Sequence, residues 1–137
     1  MTATFANQGL QRIGINASQA TAFSSSRYFR TMSVDDSANA ITATDTAANS
    51  GGAVTNFYDQ ALDATPTRSN QTITHVMTVP TGSGNFTIRR ILMHDDTAAN
   101  VTTSSTTLGW GIDGQTLAKT ADFTIAFTLR LTYSQGP

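Results

Sequence analysis

Phe123-Thr124-Ile125-Ala126-Phe127-Thr128-Leu129-Arg130-Leu131-Thr132-Tyr133 alternates apolar and polar residues without interruption. Successive side chains on a strand point to opposite faces, so this spacing puts Phe123, Ile125, Phe127, Leu129, Leu131 and Tyr133 on one side. Thr124, Ala126, Thr128, Arg130 and Thr132 take the other. The stretch predicts a long strand with one face in a core and the other wet or covered by a neighbour.

Shorter runs of the same kind lie upstream. Ser105 to Ile112 carries Leu108, Trp110 and Ile112 in alternation, and Asp113-Gly114 after it reads as a hairpin-type turn. Phe86 to His94 reads as a strand with Phe86, Ile88 and either Ile91 or Leu92 inward; its phase slips near Arg89-Arg90, which predicts a bulge. Pro80-Thr81-Gly82-Ser83-Gly84-Asn85 is a turn. Gln71 to Val79 places Ile73, His75, Met77 and Val79 on one side, and with Phe57 to Leu62 it reads as a long-looped hairpin. Arg27 to Val34 is a further strand, ending in an Asp35-Asp36-Ser37 turn.

Helical signals are weak. Leu10, Ile13, Phe5 and Ala17 fall at helical spacing between Ala6 and Asn16, interrupted by Gly9 and Gly14, and Thr44 or Asp45 is placed to cap one turn through Ala48. The sum is a mainly β chain: an antiparallel sheet or sandwich of about six strands with one or two short helices. Its 137 residues read as a single domain, 1–137, with residues 1–20 an N-terminal segment carrying a short helix and 27–134 the β core.

Composition points the same way and removes many chemistries. All nine acidic residues are Asp, Lys119 is the one lysine, and there is no cysteine. Thr suits pleated strands, and Ser, Asn and Asp suit turns. A net charge of -1 with 12% charged residues offers neither a basic footprint for nucleic acid nor strong repulsion between copies. No apolar run is long enough for a membrane-spanning helix, and the start of the chain lacks the basic and apolar regions of a signal peptide, so a protein made in a cytoplasm is expected. Four Asn-x-Ser/Thr sequons, at Asn16, Asn70, Asn85 and Asn100, are then chance products of an Asn- and Thr-rich chain.

Few groupings could carry chemistry. His94-Asp95-Asp96 and Asp35-Asp36 are the weak candidates for a divalent cation, on the premise that two strand exits meet at one end of a sheet. Adjacent strand residues diverge and Asp favours turns, so the expectation is structural turns, with no metal and no cofactor. Ser24-Ser25-Ser26 has no base at a recognisable spacing, and neither Gly51-Gly52 nor Gly82/Gly84 sits in a phosphate-binding setting. Arg89-Arg90 is expected to pair with Asp across strands or between subunits, where a guanidinium binds a carboxylate bidentately. Trp110, between Gly109 and Gly111, is a core anchor or an interface hot spot. The candidate interface residues are Phe5, Leu10, Arg12, Arg89, Arg90, Trp110 and Arg130.

Two segments carry a family resemblance. Asn85-Phe86-Thr87-Ile88-Arg89-Arg90-Ile91-Leu92-Met93-His94-Asp95-Asp96 resembles the "NFTIREIGLFD" strand of bacteriophage tail-collar fibre N-terminal domains, and the run from Thr116 to Tyr133 resembles their closing "ITKTSDFTLTVTVTLT" strand. Asn7-Gln8-Gly9-Leu10 is similar to their "NAGL" helix, and Ala43 to Asp59 falls where their small-residue helix and next strand lie. Arg90 replaces an acidic residue and His94 a phenylalanine of that pattern. The resemblance implies a virion structural module that docks to other virion proteins.

The expectation is thus a non-enzymatic phage virion protein of tail or collar type, located in the particle and binding copies of itself, with a trimer preferred, and other virion proteins. Nucleic acid and membrane are not expected partners. A capsid cement or decoration protein is the alternative within that class, and a carbohydrate- or receptor-binding β-module using Trp110, Tyr28 and Tyr58 is the alternative outside it. An enzyme centred on His94 is a third.

Overall fold

A computed structural model of the chain describes residues 2–7, 10, 29–45, 54–69, 72–94 and 108–132. Those residues form ten strands: β1 (Thr2–Phe5), β2 (Thr31–Asp35), β3 (Phe57–Ala61), β4 (Thr67–Ser69), β5 (Thr72–Val79), β6 (Thr87–Ile88), β7 (Arg90–His94), β8 (Leu108–Asp113), β9 (Leu117–Ala118) and β10 (Ile125–Thr132). They make a five-stranded sheet in the order β1-β8-β7-β2-β3, a three-stranded sheet β10-β5-β4 and a two-stranded ribbon β6-β9. Every pairing is antiparallel. The mainly β expectation holds, and the extra strands are β1, β4, β6 and β9, each of four residues or fewer, too short for alternation to register.

The two longest strands behave as their sequences require. Along β5 the residues Ile73, His75, Met77 and Val79 are buried while Thr72, Thr74, Val76 and Thr78 are half-buried. β10 lies against it in unbroken register from Ile125↔Val79 to Thr132↔Thr72, with Leu129 buried and Ala126, Thr128, Arg130 and Thr132 exposed. Phe123 precedes the strand and is exposed.

The expected hairpin between β3 and β5 does not form. β3 pairs with β2, and β5 takes β10 and the short β4 as neighbours. The link after β3 carries the chain between sheets: the Leu62 N–H donates to the Arg30 carbonyl (2.9 Å) and the Asp63 N–H to the Val76 carbonyl (2.9 Å). Asp63 also accepts the Thr78 N–H (3.0 Å) and hydroxyl (2.6 Å), which fixes the end of β5.

Asp113-Gly114 likewise is a corner and not a hairpin. β7 with β8, and β6 with β9, are successive lengths of one bent antiparallel ribbon; Ile91 lies opposite Ile112, and Ile88 opposite Leu117. Between them the Arg89 carbonyl accepts the Gln115 N–H (3.0 Å), and Gly114 takes a left-handed φ of 72°. The phase slip read at Arg89-Arg90 falls at this bend, but the register shift of the β7–β8 pair lies between Met93 and His94 and not at the arginines. At the other end of the chain, the Leu10 N–H donates to the Ala6 carbonyl (3.1 Å), a single helical contact; most of the helix expected over Ala6 to Asn16 lies outside the described residues. Asp45 accepts the backbone N–H (2.9 Å) and hydroxyl (2.7 Å) of Thr42 upstream of it, so it closes a turn; the expected continuation through Ala48 is outside the described residues.

The main core draws Met32, Val34, Ile91, Met93 and Trp110 from the five-stranded sheet and Met77, Val79 and Leu129 from the three-stranded one, with Ile88 from the ribbon. On the opposite face of the five-stranded sheet, Ala6, Ile41 and Leu92 form a smaller cluster. Gly111 makes room for that second cluster, and Gly109 for the ring of Phe29, which belongs to the main core. A Cβ on Gly109 would enter the Phe29 ring, and one on Gly111 would stand 2.5 Å from Ile41 Cδ1 and 2.9 Å from the Ile91 carbonyl. Trp110 between them points the other way, into the main core.

Gly111→Ala is expected to cost about 1–3 kcal/mol in urea unfolding, because the Ile91 backbone cannot move aside. Gly82→Ala, at φ +81 with nothing within 4 Å, should cost only about 1 kcal/mol of backbone strain.

Candidate functional site

The polar face of the five-stranded sheet gathers three of the residues singled out in the sequence: Asp35, Arg90 and His94. β2 and β7 lie side by side and all their residues are buried, so Thr31, Ser33 and Asp35 face away from the main core beside Arg90 and His94. A buried polar group needs a partner, and these largely supply one another.

Asp35 ends β2 opposite Arg90, the first residue of β7. Arg90 Nε donates to Asp35 Oδ1 (2.8 Å) and Nη2 to Oδ2 (2.7 Å), a bidentate pair with the guanidinium fully buried. Asp35 Oδ1 also accepts the Ser37 N–H (3.0 Å), and the Asp35 carbonyl accepts the Arg89 N–H (2.8 Å). Asp35 therefore ends β2 inside an ion pair and also closes the turn to Ser37, the role expected of an aspartate at a strand exit. Arg90 makes the cross-strand pair expected of it and is withdrawn from the candidate interface. Arg90 Nη1 is buried with no hydrogen-bond partner among the described residues.

Ser33 Oγ lies 2.9 Å from His94 Nε2, which joins β2 to β7 a second time. His94 Nδ1 has no hydrogen-bond partner among the described residues. Burial pushes His94 down to about 3, which keeps the imidazole neutral over the physiological range. His94 is a core histidine.

The premise that both aspartate pairs meet at one sheet end fails on register. Thr31 faces His94 and Asp35 faces Arg90, so Asp35 and His94 lie at opposite ends of neighbouring strands. Asp95 and Asp96 are outside the described residues. Asp36 closes a loop, accepting the Asn56 side-chain amide (2.7 Å) and the N–H groups of Asn56 (3.1 Å) and Thr55 (3.2 Å). Slight burial would raise its carboxyl, but these hydrogen bonds outweigh it and hold the group below its ordinary value. Among the described residues no three His, Cys, Asp or Glu side chains come together as a metal-holding group.

The other interface candidates separate. Trp110 is 3% exposed, stacks on Phe5 (6.0 Å between centroids) and meets the His75 ring edge-on (6.4 Å). It is a core anchor, unable to stack on a sugar; Phe5 beside it is half-buried against the core. Tyr58, the second sugar-stacking candidate, donates its hydroxyl to Gln60 and packs on the main core. Tyr28 and Arg12 are outside the described residues, as are Ser24-Ser25-Ser26 and Gly51-Gly52. Arg89 is half-buried and serves the bend through its backbone. Leu10 is exposed, and Arg130 is exposed on the outer face of β10.

Sequence reasoning missed Lys119. The only lysine of the chain is buried, with Nζ donating to Asn85 Oδ1 (3.4 Å) and the Thr120 carbonyl (3.2 Å) and standing 5.7 Å from the Phe123 ring centroid. Its singularity was the available signal. Ser33 was legible too, since a serine flanked by Met32 and Val34 on a strand lies on the face opposite them.

Comparison of the chain with family models, with curated proteins and with solved structures returned no match.

The His94 environment sets a pH dependence. Its native pKa lies below the unfolded value near 6.5, so the unfolded chain binds a proton that the native chain refuses. The associated stability is intact above about pH 6.5 and is lost as pH falls toward 3, at up to about 1.4 kcal/mol per pH unit. His75, lowered by burial against an opposing backbone contribution at Leu129, adds in the same direction. Urea unfolding between pH 7.5 and 5 should show this loss, and His94→Gln, which retains a group for Ser33, should flatten the slope.

Proposed function

We propose that this chain is a non-enzymatic structural protein of a bacteriophage virion, a tail or collar-fibre type component that associates with copies of itself and docks onto other virion proteins. The observation that carries this proposal is that the two segments resembling tail-collar fibre domains meet in space. β6 belongs to the first segment and β9 to the second, and they pair through Thr87↔Ala118 and Ile88↔Leu117. The Lys119 N–H donates to the Phe86 carbonyl (3.1 Å), and its ammonium group reaches Asn85. Two motifs far apart in sequence thus form one folding unit, as a shared architecture requires.

The distribution of charge supports the same reading. Arg90, Asp35, Asp113 and Lys119 are all buried in the service of the fold. The exposed side of β10 is left with Ala126, Thr128, Arg130 and Thr132, a hydroxyl-rich surface with one charge. Such a surface suits packing against a polar protein neighbour without the desolvation cost of many charges.

Light scattering of the purified chain over a range of concentrations, with and without chelator, tests self-association. A stable oligomer indifferent to chelator is expected. A monomer at every concentration would overturn the self-assembling reading, and dissociation by chelator would overturn the assignment of the aspartates to structure.

A further inference from the structure

Among the described residues, the outer edge of β10 is left without a partner strand. β10 is the outer strand of the three-stranded sheet; β5 is its one neighbour among the described residues. Its eight residues span roughly 27 Å at about 3.4 Å per residue. The other sheet edges are shorter: β1 has four residues, β3 five and β4 three.

Edge strands expose unpaired N–H and C=O groups and are normally blunted by lysine, proline, bulges or inward-pointing charge. β10 has none of these. No Lys or Pro falls between Ile125 and Thr132, the register with β5 runs through without a bulge, and the single charge, Arg130, points outward. On the inward side only Leu129 is buried; Ile125, Phe127 and Leu131 are half-buried, so a strand added at this edge would complete their cover.

We propose that two copies of this chain pair edge to edge through β10, antiparallel about a twofold axis at Thr128, joining their three-stranded sheets into one continuous six-stranded sheet. The inference rests on the self-association proposed above and gives it a contact, with a dimer as the unit in place of the expected trimer. The register follows from three constraints. Inward residues must face inward residues, since a one-residue slip exchanges the faces. Arg130 cannot face Arg130, because like charges directly opposite destabilise a pair. An axis at Thr128 sets Ile125 against Leu131 and Phe127 against Leu129, so all four inward residues find partners within the strand. On the outer face Arg130 then meets Ala126 of the second copy, and Thr128 meets its own counterpart. The net charge of -1 adds little repulsion between copies. The contact is isologous and self-closing, which ends growth at two copies along this edge.

The chain has no cysteine, so single substitutions report cleanly. Under mild oxidation Thr128→Cys should crosslink as a disulfide dimer, because the two residues face each other, while Thr132→Cys, several residues from the axis, should not. Ala126→Asp should tighten the dimer roughly fivefold by facing Arg130 of the second copy, and Thr128→Arg should weaken it by a similar factor. All three positions are exposed, so urea unfolding should confirm intact folds. Equal crosslinking at positions 128 and 132, or an oligomer mass unchanged in Thr128→Arg across the concentration range, would overturn β10 pairing while leaving self-association standing. A wild-type chain monomeric at every concentration, with neither cysteine variant crosslinking, would overturn both.

Discussion

The buried pair between Asp35 and Arg90 is the constraint on which the arrangement of sheets depends. A guanidinium removed from water is tolerated only when its partner geometry is good, and here it is bidentate. The same aspartate holds three pieces of chain at once: its carboxylate takes Arg90 and the Ser37 N–H, and its carbonyl takes the Arg89 N–H. The end of β2, the start of the next loop and the bend of the β6–β7 segment are therefore registered at one point. A chain that slipped by one residue here would leave a charge unpaired in the interior.

That bend makes the two-layer core possible. Because the ribbon turns at Arg89, Ile88 enters the main core while Arg90 begins a strand of the five-stranded sheet. The corresponding break in the facing chain runs from Asp113 to Thr116, and Asp113 spends its carboxylate on the Ile41 N–H (2.7 Å), closing the second face over Gly111. Lys119 follows on the same chain and ties the ribbon to the turn at Asn85. Among the described residues, Asp35, Arg90, Asp113 and Lys119 sit where strands change sheets, and the outward face of β10 carries Arg130 alone.

Legibility of the fold tracked burial. β5 and β10 were plain because each has one buried and one wetter face, so sequence alternation and burial alternation coincide. β2 and β7 were harder, since all five residues of each are buried and a strand covered on both sides loses its period. Asp35 shows how a residue-type preference can be right and incomplete: the turn bond to Ser37 is local and legible, whereas the ion pair with Arg90 depends on the strand opposite. The arginine itself was read correctly as a cross-strand partner, but which aspartate it would find depended on a register that sequence does not encode locally. Trp110 was ambiguous for the same reason, because its flanking glycines are explained by Phe29 and Ile41, contacts distant along the chain. Of the candidate site residues, those whose role is local, such as the Asp-rich turn at Asp36, were legible; those whose role is set by pairing were not.

The most direct measurement is the coupling energy between Asp35 and Arg90 from a double-mutant cycle of Asp35→Asn, Arg90→Met and the double variant, read by urea unfolding. A buried pair that sets the junction predicts that either single change is strongly destabilising and that the two are coupled by at least about 2 kcal/mol. Additivity to within about 0.5 kcal/mol would contradict it, showing that the sheets hold their places without the pair.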